Sequence, residues 1–150
     1  MNRRRAVLAL LLVLMVSAAL PQTGEQARRG KIVVRVTGFA GDAGHARIGL
    51  FNQADSFPLD SAKALTGARV PVQNHEATAV FEDLPYGTYA VIAHHDANDN
   101  FRLDVNWLGR PREAYGASNN PRARLGPPRW KDAHFELQSD STIIEIKLHT

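Results

Sequence analysis

The 150-residue chain contains no cysteine. Disulfides, thiolate metal sites and a lipid-anchored cysteine are therefore excluded. A domain without them must be held together by its core alone. Its two methionines, Met1 and Met15, both lie in the N-terminal segment, so no thioether ligand for copper remains beyond it. No apolar run approaches the roughly 20 residues of a membrane-crossing helix. Apolar residues at helical spacing are almost absent after residue 30. So are the signatures of common active sites: no G-x-S-x-G elbow, no H-E-x-x-H, no phosphate loop and no dinucleotide fingerprint occurs. A hydrolase-type enzyme with a loop-borne site, using Glu113, Ser118, Asn119 or Asn120, is an alternative without a motif behind it. The expectation is a protein without catalytic residues.

The N-terminus has the order of a secretory signal peptide. Arg3, Arg4 and Arg5 precede the unbroken apolar run Ala6 to Val16, and Ser17-Ala18-Ala19 follows with small residues suited to cleavage. Residues 1–19 are read as a signal peptide cut near Ala19, and residues 20–30 as a flexible polar leader. An uncleaved segment would be the only link to a membrane. Export to the periplasm or the medium of a bacterium is expected. Cleavage also removes the charge excess. The whole chain has 18 basic and 15 acidic residues, and loss of the three arginines leaves the two signs equal. The basic stretch Arg110, Arg112, Arg122, Arg124, Arg129 and Lys131 is broken by Pro and Gly, and no nucleic-acid motif accompanies it.

Residues 31–150 read as one domain of short strands. Ile32, Val34 and Val36 alternate with Val33, Arg35 and Thr37 in a period of two; Ala46, Ile48 and Leu50 continue on a second strand, and Ala77, Ala79 and Phe81 alternate with Thr78 and Val80. Val70-Pro71-Val72 suits an edge strand, because proline cannot donate to a central ladder. Tyr89, Val91 and Ala93 are apolar on one face and Ala90 and Ile92 on the other, which predicts a central strand covered on both sides. Phe135 and Leu137, then Ile144, Ile146 and Leu148, complete the set. Asp60 caps one short helical turn, Ser61 to Leu65, closed by Gly67. The fold class is all-β: a seven-stranded, antiparallel-type β-sandwich, transthyretin-like or immunoglobulin-like, with one helical turn and a long ordered loop.

Two loops carry the candidate chemistry. In HDANDNFRLDVN, Asp96, Asn98, Asn100 and Asp104 stand at positions 1, 3, 5 and 9 of a calcium loop of the EF-hand type, with the backbone carbonyl of Arg102 at position 7. Two carboxylates, with Asp99 as a third candidate, predict weak binding, on the order of 10⁻⁴ to 10⁻³ M. The competing reading is a metal-free Asx-turn, in which the side chains bond their own backbone. An EF-hand loop bends at glycine in position 6 and closes on Glu in position 12. Phe101 and Trp107 stand there instead. His94 and His95 are neighbours on a strand and so face opposite ways; with His45 and His75 elsewhere, no histidine metal site is expected. The second loop, 105–131, is rich in Gly, Pro, Asn and Arg and contains both tryptophans. Trp107, Tyr115 and Trp130 could stack on a carbohydrate or hold a peptide or envelope protein, Arg110 could meet an anion, and Asn119 and Asn120 could hydrogen-bond a ligand or fix the loop.

The run FEDLPYGTYAVIAHHDANDNFRLDVNWLGRPREAYGASNN, followed by RLGPPRW and a closing FEL…TIIEIKL, resembles a family of short exported bacterial proteins, domain-of-unknown-function family 2141. The resemblance covers about Ile32 to Leu148. LPxGxYxV is shared with transthyretin-like and carboxypeptidase-regulatory-like sandwiches. The combination with HDxNxN, the later Asp, WLGxPxExYG and SNN is more specific. The resemblance implies a seven-stranded sandwich and export, and no activity. The family pattern HDxNxNGxLD has glycine where this chain has Phe101; Asp99 stands just before the second Asn, where glycine is also common.

Overall fold

The structure, a computed structural model, describes residues 27–58, 61–122 and 126–150. The expected signal peptide, most of the expected leader, Asp60, Arg124 and Leu125 lie outside the described residues. The strands are β1 (Arg29–Thr37), β2 (His45–Phe51), β3 (Thr66–Pro71), β4 (Glu76–Pro85), β5 (Gly87–Asp96), β6 (Tyr115–Ala117), β7 (Phe135–Leu137) and β8 (Ser141–Lys147), with a short helix α1 (Trp130–Ala133) before β7. They form two layers. One is β4-β1-β8; the other is β3-β2-β5-β6, with β7 paired to the first three residues of β5. The pairs are antiparallel except β1 with β8, which run parallel.

Alternation builds the core. Ile32, Val34 and Val36 of β1 are fully buried and meet Ile144 and Ile146 of β8 and Ala77, Ala79 and Phe81 of β4 on the inner face. Ala46, Ile48 and Leu50 of β2 and Tyr89, Val91 and Ala93 of β5 supply the other half. Each large side chain buried this way contributes roughly 1.5 to 3 kcal/mol. Leu137 and Leu148 close the ends.

β5 is covered on both faces, as its sequence predicts. Its outward residue Ala90 is buried in a second cluster with Phe51, Phe57, Ala117 and Ala133. Phe57 stands edge-on to both Phe51 and Trp130, with ring centres 5.4 and 5.9 Å away. The edge assignment of the Pro71 segment also holds, since β3 ends the second sheet. The helical turn is a 3-10 turn over Ser61–Lys63. Gly67 does not close it; it lies in β3, paired with Gly49 of β2.

The seven expected strands are joined by an eighth, β6, inside the segment read as loop. Three residues are too few to show a period. Its glycine gives it away in retrospect: a Cβ on Gly116 would lie 2.8 Å from Ile146 Cγ2 and 2.9 Å from the Lys147 carbonyl oxygen. That closeness lets Tyr115 exchange two backbone hydrogen bonds, each 3.0 Å, with His149 after β8, tying the sheets together at this edge.

Candidate functional site

The Asp96–Asp104 loop leaves β5 at a fully buried aspartate. Asp96 Oδ1 accepts the N–H of Asn100 and Oδ2 that of Phe101, each at 3.0 Å. Asn98 Oδ1 also accepts from the Asn100 N–H, and Asn100 Oδ1 accepts from the Arg102 N–H at 2.9 Å. The amide groups of Asn98 and Asn100 donate to the two oxygens of Asp104, at 2.9 and 2.8 Å. Glu113 closes the loop from outside. Its Oε1 accepts the N–H of Ala97 and its Oε2 that of Asp104. The four predicted side chains at 96, 98, 100 and 104 thus meet in one network of Asx-type bonds. Among the described residues, no three His, Cys, Asp or Glu side chains are grouped to hold a metal ion.

Phe101, which departs from the HDxNxNGxLD pattern, and Asp99, two residues before it, anchor the loop to the outer face of the second sheet. Asp99, at φ +56°, accepts from His45 Nδ1 at 2.6 Å and Arg69 Nη2 at 3.0 Å. Burial raises its carboxyl pKa, but these two hydrogen bonds and charges outweigh that and hold it below the usual value. Phe101, at φ +68°, lays its ring under two guanidiniums, Arg47 at 4.5 Å and Arg69 at 5.6 Å. Under the loop runs a groove of about 740 Å³ between Arg47, Arg69 and Arg102 at one end and Phe51, Pro58 and Ala64 at the other.

Beyond Asp104 the chain forms a short arm. Val105 and Pro111 bridge, Asn106 N–H donates to the Arg110 carbonyl at 2.8 Å, and Arg112 N–H donates to that of Asp104 at 2.7 Å. Asn106 Oδ1 accepts the N–H groups of Leu108 and Arg110, and Gly109 turns the tip at φ +73°. On this hydrogen-bonded tip Trp107 is 90% exposed, Leu108 56% and Val105 52%.

A family model matches residues 34–145, most of the chain; it is the family DUF2141, described as uncharacterized protein conserved in bacteria. The chain belongs to DUF2141. No curated protein and no solved structure matches it at a significant level. Among the described residues, no helix is long and apolar enough to cross a membrane.

In this DUF2141 protein the six residues proposed for ligand contact do not form one surface. Trp107 and Arg110 lie on the exposed arm. Trp130 begins α1, half-buried against Phe57 and stacked at 6.2 Å on His134. Tyr115 pairs with His149 and lines a cleft of only about 120 Å³, below the roughly 300 Å³ where organic ligand sites begin. Asn119 and Asn120, both at positive φ, tie chain to chain. The first donates to the His134 carbonyl at 2.8 Å; the second donates to that of Glu145 and accepts the Lys147 N–H, extending the edge of β8. Ser118 is fully buried; its Oγ accepts the Val91 N–H and donates to the Ala133 carbonyl.

The histidine pair divides between faces as expected. His95 is buried, its Nε2 at 2.7 Å from the Ala43 carbonyl and its ring edge-on to Phe39. His94 is half-buried on the other face rather than exposed, and its buried Nε2 has no hydrogen-bond partner. Burial holds its pKa below the ordinary histidine value, against the opposing pull of Glu113 and Asp96. Sequence reasoning passed over Arg47 and Arg69, and took Glu113 only as a candidate of the catalytic alternative rather than as the brace of the loop. The available signals were the outward positions of the two arginines in their strands and Gly49 and Gly67 inside strands, where glycine marks a close approach.

Proposed function

We propose that this DUF2141 protein is an exported, non-catalytic binding module of the bacterial cell envelope that engages a partner protein or carbohydrate through the 104–112 arm. One observation carries the reading: Trp107 is 90% exposed on a tip whose backbone is hydrogen-bonded to itself. Water-exposed indole beside Leu108 and Val105 gives an apolar patch that a binding partner would cover. Arg110 and Arg112 flank it as a polar rim. The sandwich and the hydrogen-bonded loop beneath act as the rigid mount. Export rests on the charged, apolar and small-residue order of the first 19 residues.

The loop is read as a metal-free brace, because each side-chain oxygen of Asp96, Asn98, Asn100 and Asp104 already accepts a hydrogen bond. Weak calcium binding is the second reading, favoured by the meeting of Asn98, Asn100 and Asp104 side chains. A cation there would require both amides to turn their oxygens inward.

The test is a photo-crosslinking amino acid placed at Trp107 in cells that export the protein, with Ile143, 53% exposed on the first sheet, as control. A discrete adduct from 107 and none from 143 is expected. No adduct from 107, or the same adducts from both, removes the arm as the binding element.

A further inference from the structure

The outer face of the second sheet holds a different surface, independent of the arm. Strand register sets side chains there in rows. Arg69, Arg47 and His94 are cross-strand partners on β3, β2 and β5; two residues along, so are Gly67, Gly49 and Ile92; two further, Phe51 faces Ala90. Rows two residues apart are separated by about 7 Å. Phe51 and Ala90 are themselves covered by Phe57, so the open face passes from cationic, over a glycine shelf, to an apolar rim of Ile92, Pro58 and Ala64 within roughly 14 Å, and the groove of about 740 Å³ follows that path.

Three features point to an occupant. The cationic end gathers Arg47, Arg69 and Arg102 around Phe101. Asp99 is engaged with both Arg69 and His45, whereas Arg47 and Arg102 have no carboxylate partner among the described residues. Next, the two shelf glycines do not have positive φ. Glycine inside a strand costs stability, and backbone conformation does not require it here. A Cβ would be tight but not impossible, 3.1 Å from the Phe51 ring at Gly49 and 3.2 Å from the Ile48 oxygen at Gly67. What two side chains there would take away is the depth of the groove. Finally, His94 lines the groove with a buried nitrogen that lacks a partner. The volume falls within the range of about 300–1,000 Å³ usual for organic ligands.

We propose that this groove binds an amphipathic organic anion, its carboxylate against Arg47 and Arg102 and its apolar body across the Gly49–Gly67 shelf toward Pro58 and Ala64. A bare inorganic anion would leave the apolar end uncovered, and a neutral apolar chain would leave two guanidiniums facing it.

The probes are decanoate, decan-1-ol and inorganic phosphate, titrated calorimetrically into the full protein as purified from cells that make it, below the micellar range of decanoate. Decanoate binds, while decanol and phosphate each bind at least tenfold more weakly. Arg47→Gln weakens decanoate at least tenfold and Arg102→Gln severalfold; Trp107→Ser leaves it unchanged. Arg102 is exposed on the loop, so its variant carries the test should Arg47→Gln lose the wild-type circular dichroism. No heat with decanoate overturns the proposal. So does decanol or phosphate binding as tightly as decanoate, or wild-type affinity in the folded arginine variants. Loss of decanoate binding in Trp107→Ser would move the site to the arm, and this groove would be abandoned.

Discussion

Glu113 accepts the backbone N–H of Asp104 at 3.0 Å while its other oxygen holds Ala97, so one carboxylate pins both ends of the Asp96–Asp104 loop. Charge-assisted hydrogen bonds of this kind contribute more than neutral ones. Glu113→Ala is expected to lower stability by about 1–3 kcal/mol in denaturant titration. Amide exchange should accelerate at Ala97 and Asp104 and stay unchanged in β1. Equal protection throughout the loop would show that the brace lies elsewhere.

Ser118 is the next position where one side chain joins separate elements, β5 through Val91 and α1 through Ala133. Ser118→Ala leaves a buried carbonyl without its hydroxyl donor and removes one acceptor. A loss of about 1–3 kcal/mol follows for a polar group left unsatisfied. Thermal unfolding measures it. A variant as stable as wild type would mean that the hydroxyl bonds add nothing to the seam between α1 and β5.

Acid should weaken the fold through His94. Burial puts the folded pKa of His94 below its reference value of 6.5, so the unfolded chain takes up the proton more readily. Stability is full above about pH 6.5 and declines as the pH falls below it. Asp99 adds a second decline only at lower pH, because its pKa is already below the reference 3.8 when folded. The midpoint of thermal unfolding should therefore drop between pH 7 and pH 5. His94→Gln should flatten that slope. A wild-type slope in the variant would assign the effect to another group.

Calcium gives the loop a direct test. With a dissociation constant on the order of 10⁻⁴ to 10⁻³ M, 10 mM calcium would stabilise the protein by about 1.4–2.7 kcal/mol. The metal-free brace predicts no shift in unfolding midpoint at that concentration. A shift that disappears in Asp104→Asn would place the ion in the loop and make calcium the correct reading.

The N-terminus is tested by mass. The protein recovered from cells is expected to begin at Leu20, after removal of the first 19 residues. Intact-mass measurement showing Met1 retained would overturn the signal-peptide reading and with it the near-zero charge of the mature chain.

Strand positions were legible because burial on one face of a sheet imposes a period of two, and Ile32, Val34, Val36, Ile144 and Ile146 carry it without interruption. The double coverage of β5 was legible for the same reason: Ala90 and Ile92 had no polar alternation to show. β6 and α1 were not, since three or four residues cannot display a period and their places depend on Gly116 touching Ile146 and on Ser118 reaching Ala133. At the candidate site the loop composition was visible, and so was the chance that its oxygens would bond their own backbone.

What the chain alone determined was the pair of aliphatic inner faces and the oxygen-rich loop at the end of β5, because both are local patterns of adjacent residues. Only the tertiary structure decided that Arg47 and Arg69, paired across β2 and β3, would meet Phe101 from that loop, and that Trp107 would stand in solvent while Trp130 packed on Phe57. Those outcomes depend on strand register and on which face of a sheet another segment covers, and neither is encoded in the residues of one segment by itself.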